Sequence, residues 1–129
     1  MMLIPCRLEP SPIHGIGLFA NAPVAAGELV WRLDREWDRV LPMDLLPALA
    51  PVQQASLSRY AYFDDGLQAL VLCADDARFM NHSDHPNVGP VVDGTCAALE
   101  PIPANAELTC DYRALDSRPM LFRPSAVPG

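Results

Sequence analysis

Fourteen prolines and seven glycines are spread along 129 residues, and this punctuation limits the fold more than any other feature. Proline donates no main-chain hydrogen bond and fixes φ, and it pushes the residue before it toward extended backbone, so long helices are excluded. Short strands with irregular connections are expected instead. Candidate strands are Leu3–Leu8, Gly17–Ala20, Glu28–Leu33, Leu67–Cys73, Val88–Val92, Thr95–Ala98 and Glu107–Cys110. Within Val91-Val92-Asp93-Gly94-Thr95-Cys96 an Asp-Gly pair separates two β-prone pieces, the strongest short-range hairpin signal in the chain. Only Met43 to Tyr60 looks helical. Leu45, Leu49 and Val52 fall there at helical spacing, and Pro51 suits the first turn of a second piece, so two short helices are expected between β segments. After Tyr112 the chain runs into a Pro- and Gly-containing end expected to fray. The expected fold class is mainly β, as one domain over residues 1–129, a length that buries one core rather than two.

Half of the residues are hydrophobic, but runs such as Leu67 to Ala74 stop far short of a membrane span. Met1 to Glu9 carries no long apolar region followed by a small-residue cleavage site, so it does not read as a signal peptide, and a cytoplasmic location is the default expectation. Cys6, Cys73, Cys96 and Cys110 show no C-x-x-C spacing. That argues against a zinc knuckle and a disulfide framework, and for reduced, mostly buried thiols. A net charge of −7 and a pI near 4.7 disfavour nucleic acid as a direct partner, because phosphate binding needs a basic face. The same balance steers a basic protein partner favourably. All nine basic residues are Arg, and the chain has no Lys.

Three segments carry chemistry. In His14-Gly15-Ile16-Gly17-Leu18-Phe19-Ala20 two glycines one residue apart permit positive φ and close backbone approach, which serves either a plain turn or a loop that lays main-chain N–H groups against a ligand. A dinucleotide fingerprint is excluded by the missing third glycine and helix. Arg78-Phe79-Met80-Asn81-His82-Ser83-Asp84-His85-Pro86-Asn87 is dense in polar groups that must find partners or face a ligand. It reads as a functional loop, as an Asx-rich turn, or as part of a metal shell from His82 and His85, for which no further ligand cluster lies nearby in sequence. In Glu107-Leu108-Thr109-Cys110-Asp111-Tyr112 a strand ends in an acidic residue and a tyrosine, a pattern that a sheet edge also shows.

In this order, from about Ile13 to Tyr112, the three segments resemble the SET domain of protein-lysine methyltransferases, and the short chain resembles the small stand-alone bacterial and viral members. The carriers are R-F-x-N-H-S and E-L-T-x-D-Y, about two dozen residues apart. The resemblance implies a SET fold, β-clip-like, with a pseudoknot-like crossing of the last two segments, an exception to the usual absence of threaded loops. It implies S-adenosylmethionine as cofactor, cradled by His14, Gly15, Ile16, Gly17, Arg78, Asn81 and His82, with Tyr112 as the catalytic tyrosine and no metal. Tyr60, Tyr62 and Cys110 are candidates for the lysine channel. The implied partner is a protein with a lysine in a basic segment, without nucleic acid or membrane. Many relatives close the channel with a cysteine-rich zinc segment, whereas no Cys follows Cys110 here. Leu121 and Phe122, or a second subunit in a homodimer, are the expected substitutes. A catalytically silent SET-like domain for protein binding or cofactor sensing is the alternative. A Cys-His hydrolase using Cys73 or Cys110 with His82 or His85 lacks a recognisable nucleophile setting.

Overall fold

A computed structural model of the protein describes residues 1–92 and 94–115. The chain forms ten short strands, β1 (Cys6–Pro10), β2 (Ile16–Ala20), β3 (Leu29–Arg32), β4 (Arg39–Pro42), β5 (Tyr62–Asp64), β6 (Ala69–Leu72), β7 (Asn81–His82), β8 (Val88–Val92), β9 (Thr95–Ala98) and β10 (Glu107–Cys110). Two α-helices, α1 (Pro51–Tyr60) and α2 (Tyr112–Leu115), and two 3-10 turns, Met43–Ala48 and Asp76–Phe79, complete the described elements. The mainly β expectation holds.

The strands make three small sheets, ordered β1-β2-β10-β7, β3-β9-β8 and β4-β6-β5. In the first, Leu18 pairs with Leu8 on one side and with Leu108 on the other, and Leu18 and Leu108 are fully buried. This row anchors the main core, which also takes Ile4, Val24, Val30, Val88 and Ile102. β7 runs parallel to β10, so two segments distant in sequence lie side by side. The expected hairpin forms between β8 and β9, with Gly94 at φ +72 on the turn.

Several boundaries move for identifiable reasons. The expected strand Leu3–Leu8 starts later, because Met2 bridges Trp31 and Leu3 bonds Val30 in the second sheet before Pro5 redirects the chain to β1. Leu67–Cys73 shortens to β6, because the Asp64 side chain accepts from the Leu67 N–H and Gln68 takes φ +50 in a turn. β4, β5 and β7 escape a period-two reading, being two to four residues long. The helical region divides as expected, with Pro51 in the first turn of α1. The predicted Leu45, Leu49 and Val52 stripe is corrected: Val52 is 77% exposed, and α1 is anchored by Leu57, which joins Ala61, Phe63 and Leu70 in a second small core. Leu121 and Phe122 lie outside the described residues.

Candidate functional site

The G-x-G loop is held from behind by the β7–β10 crossing. Asn81, 6% exposed, directs its side-chain amide at the His14 carbonyl (3.1 Å), the Ile16 carbonyl (3.3 Å) and Glu107 Oε2 (2.9 Å). Ser11 Oγ donates to the same carboxylate at 2.9 Å and accepts from the Ile13 and His14 N–H groups. The two glycines serve different needs. Gly15 sits at φ +47 with nothing within 4 Å of a Cβ built there, so its requirement is backbone conformation. Gly17 is packed: a Cβ there would stand 2.3 Å from Glu107 Oε2 and 3.0 Å from the Ser11 Cβ. Asn87 supports the crossing from the far side, its side chain donating to the Glu107 carbonyl and accepting from the Thr109 N–H, both at 2.9 Å, in the manner of a neighbouring strand.

The strand ends at Cys110, and Tyr112 opens α2. Strand alternation therefore does not place Cys110 and Tyr112 on one face, but the helical turn brings both to the same cavity. Tyr112 is fixed at three points. Its N–H donates to His82 Nδ1 at 3.1 Å, its hydroxyl donates to the Met80 carbonyl at 2.9 Å, and its ring lies 5.2 Å from the His82 ring. The first of these needs a bare Nδ1, which assigns the His82 proton to Nε2, facing Asp84 Oδ1 at 3.0 Å. Asp111, between strand and helix, is bound by Arg113, whose hydrogen bond holds its carboxyl below the usual carboxylate range.

The cavity beside Tyr112 has a volume of about 80 Å³, and Tyr60, Tyr62, Cys110 and Arg78 line it with Tyr112. Tyr60 packs edge-on against Phe79 with ring centroids 5.7 Å apart, and Tyr62 packs edge-on against Trp31 at 6.2 Å. Arg78 gives two hydrogen bonds to the Cys73 carbonyl, at 3.1 and 2.9 Å, and its guanidinium lies 5.8 Å from the Tyr60 ring centre. Burial, reinforced by Asp38, pushes the Cys73 thiol up to about 12, burial pushes that of Cys96 up to about 11, and burial raises the Tyr62 phenol above its ordinary range. At neutral pH these three groups are uncharged.

The predicted residues thus fall into two adjoining groups. Tyr60, Tyr62, Cys110 and Tyr112 share the cavity; His14, Gly15, Ile16, Gly17, Asn81 and His82 form or brace the loop. Arg78, expected with the second group, lines the cavity of the first. Sequence reasoning missed Glu107, Ser11 and Asn87, which brace the loop and crossing, and Trp31, Cys73 and Cys96, which complete the cavity wall. Glu107 and Asn87 stand inside the segments that the sequence singles out, but what they do there depends on partners distant along the chain, and Ser11, Trp31 and Cys96 have no local signal at all. Among the described residues no group of three or more His, Cys, Asp and Glu is placed to share a metal ion, and no helix is long and apolar enough to cross a membrane.

The SET domain family model matches residues 15–113. Among solved structures, the chain is similar to the Neurospora SET domain protein DIM-5, a histone lysine methyltransferase, with a TM-score of 0.61 and 20% identity over 86% of this chain and 53% of that one. A chain of an active polycomb repressive complex 2 in the basal state is similar with a TM-score of 0.66 and 20% identity, over 84% of this chain and 15% of that one. The chain therefore spans about half of the DIM-5 chain and a small part of the second, and at this identity the likeness concerns the fold. No curated protein sequence matches.

Proposed function

The chain belongs to the SET-domain family, and on that premise we propose that it transfers methyl groups from S-adenosylmethionine to lysine amines of another protein. One observation carries the reading: Tyr112 and the three channel candidates line one small cavity, and the segment after Met80 in its wall joins it to the loop, with Asn81 holding the loop and His82 bonding Tyr112. For the cofactor, His14 to Gly17, with Asn81 and His82 behind or beside them, are the residues that would hold it, and the open space at Gly15 fits that role. S-adenosylmethionine, when bound, supplies an electrophilic methyl group on a positively charged sulfur.

The chain's own residues supply position and environment. An apolar wall of Trp31, Tyr62, Cys73 and Cys96 desolvates an entering lysine and lowers its pKa from the ordinary ~10.4, favouring the neutral amine that displacement requires. Tyr112 spends its hydroxyl proton on the Met80 carbonyl, which leaves the phenolic oxygen as an acceptor. That oxygen orients an amine N–H and offers electron density to a partly positive methyl. Because His82 fixes the Tyr112 backbone, the oxygen is held rather than searched for, and positioning supplies much of the rate in a direct displacement. The net charge of −7 favours a basic substrate segment.

Incubation with methyl-labelled S-adenosylmethionine and a cell lysate tests this reading. Label on lysines of other proteins, mapped by mass spectrometry, is expected. Cofactor binding by calorimetry with no transfer would replace it with a silent SET-like domain.

A further inference from the structure

Two cavities meet at one wall. The cavity beside Tyr112 and a second of about 350 Å³ share Trp31, Tyr62 and Cys96. The second opens between two sheet edges, since β5 is the last strand of one sheet and β8 the last of another. Asp64 and Asp65 line it from one side and Pro90 to Val92 from the other. α2 packs against both strands and supplies Arg113 and Ala114 to the lining.

Trp31 in the shared wall is 7% exposed, and its indole nitrogen is, among the described residues, the one buried side-chain nitrogen or oxygen without a hydrogen-bond partner. A buried donor with no acceptor costs free energy that phenylalanine at the same place would not. An acceptor that arrives with a ligand accounts for keeping it. The surroundings select its type: Asp64 and Asp65 repel a carboxylate, and Arg113, which lines the same cavity, is already paired with Asp84 and Asp111. A neutral acceptor on a neutral or basic ligand remains. An extended peptide between two strand edges presents such an acceptor, a carbonyl, at every residue.

We propose that Trp31 is a substrate-binding residue whose indole N–H donates to a main-chain carbonyl of the peptide segment carrying the target lysine. The inference rests on the methyltransferase reading for the identity of the ligand, and on the unpartnered donor for its place. The indole also packs edge-on against Tyr62, so engaging the main chain and shaping the lysine cavity fall to one side chain.

The chain has two tryptophans, and Trp37 is 55% exposed, so a Trp37→Phe variant assigns the two indole signals in a nitrogen-15 NMR spectrum. The probe is a capped synthetic peptide, Arg-Ala-Lys-Ala-Arg, titrated to millimolar concentration. The Trp31 indole proton is expected to move downfield and to exchange more slowly with water, while that of Trp37 stays in place. Trp31→Phe should melt no lower than the parent, bind S-adenosylmethionine as before, and bind the peptide about fivefold more weakly, the loss of one neutral hydrogen bond. In the methyl-transfer assay KM for the peptide should rise by at least the same factor. A Trp31 signal that does not move at saturation, no peptide binding at all, or a lowered Tm with unchanged peptide affinity would each overturn the proposal. Failure of the methyltransferase reading shows separately, as a peptide that moves the Trp31 signal but gains no labelled methyl.

Discussion

Gly17→Ala tests whether the second glycine of the loop is present for packing rather than for backbone freedom. The new methyl group would stand 2.3 Å from Glu107 Oε2, well inside contact distance. Carboxylate ends usually swing aside at little cost, but this one is held by Ser11 Oγ at 2.9 Å and by Asn81 Nδ2 at 2.9 Å. Moving it sacrifices at least one hydrogen bond to a charged group, worth about 1.5–3 kcal/mol. Holding it in place instead leaves overpacking strain of about 1–3 kcal/mol. Either way a loss of about 2 kcal/mol is expected, lowering Tm by about 7 °C for a domain of this size. Gly15→Ala is the contrast: with open space around it, only the left-handed backbone is penalised, by about 1 kcal/mol. Urea titration of both variants, with Glu107→Ala alone and combined with Gly17→Ala, decides the matter. Once the carboxylate is gone only the Ser11 Cβ, 3.0 Å away, still crowds the alanine, so the double variant should lose at least about 1 kcal/mol less than the sum of the two single losses. Strict additivity, or a Gly17→Ala loss no larger than that of Gly15→Ala, would refute the reasoning.

Three further outcomes follow from the same geometry. Tyr112→Phe should cut kcat about 10²-fold or more, because the acceptor oxygen is gone, while calorimetry shows S-adenosylmethionine affinity within about twofold of the parent. Folded-state thiol values of about 12 for Cys73 and about 11 for Cys96, against an ordinary 9.0, mean that the folded protein keeps protons the unfolded chain releases. Stability from these thiols is full below pH 9.0 and is lost as pH rises toward 11 and 12, by roughly 1 kcal/mol per pH unit for each. Denaturant titrations across that range should show the decline, and replacing both by Ala should make it shallower, leaving the part that the buried Tyr62 phenol contributes. Cys110 lines the cavity with a small side chain, so exhaustive reaction should carry a peptide lysine beyond one methyl. Cys110→Tyr should shift the mass-spectrometric distribution toward fewer.

The sequence made the strand-rich fold legible wherever the pattern was local. Val88–Val92 and Thr95–Ala98 form as expected around Gly94, and Glu107–Cys110 matches its predicted bounds. β4, β5 and β7 were not legible, because each owes its extended form to a partner strand rather than to its own alternation. The site divides in the same way. Tyr112, Asn81 and the G-x-G loop stand out as residue types in order, and Tyr60, Tyr62 and Cys110 do reach one cavity. What Asn81 does in this fold, tying His14 and Ile16 to Glu107, depends on contacts spanning most of the chain. Trp31 in a strand reads as core until its nitrogen is seen to lack an acceptor.

The position of β10 between β2 and β7 also governs how the protein is made. The first sheet has a gap at its centre until residues 107–110 arrive, because β2 and β7 have no direct pairing. A growing chain on the ribosome can close the β1–β2 and β8–β9 hairpins early, but must hold the slot for β10 open. Such non-local closure is intrinsically slow, and meanwhile the vacant edge of β2 invites pairing with other chains. Tyr112 reaches its cavity only behind that strand, so on the proposed reading a shorter nascent chain would lack the tyrosine assigned to catalysis, and completing the first sheet and completing the site would be one event.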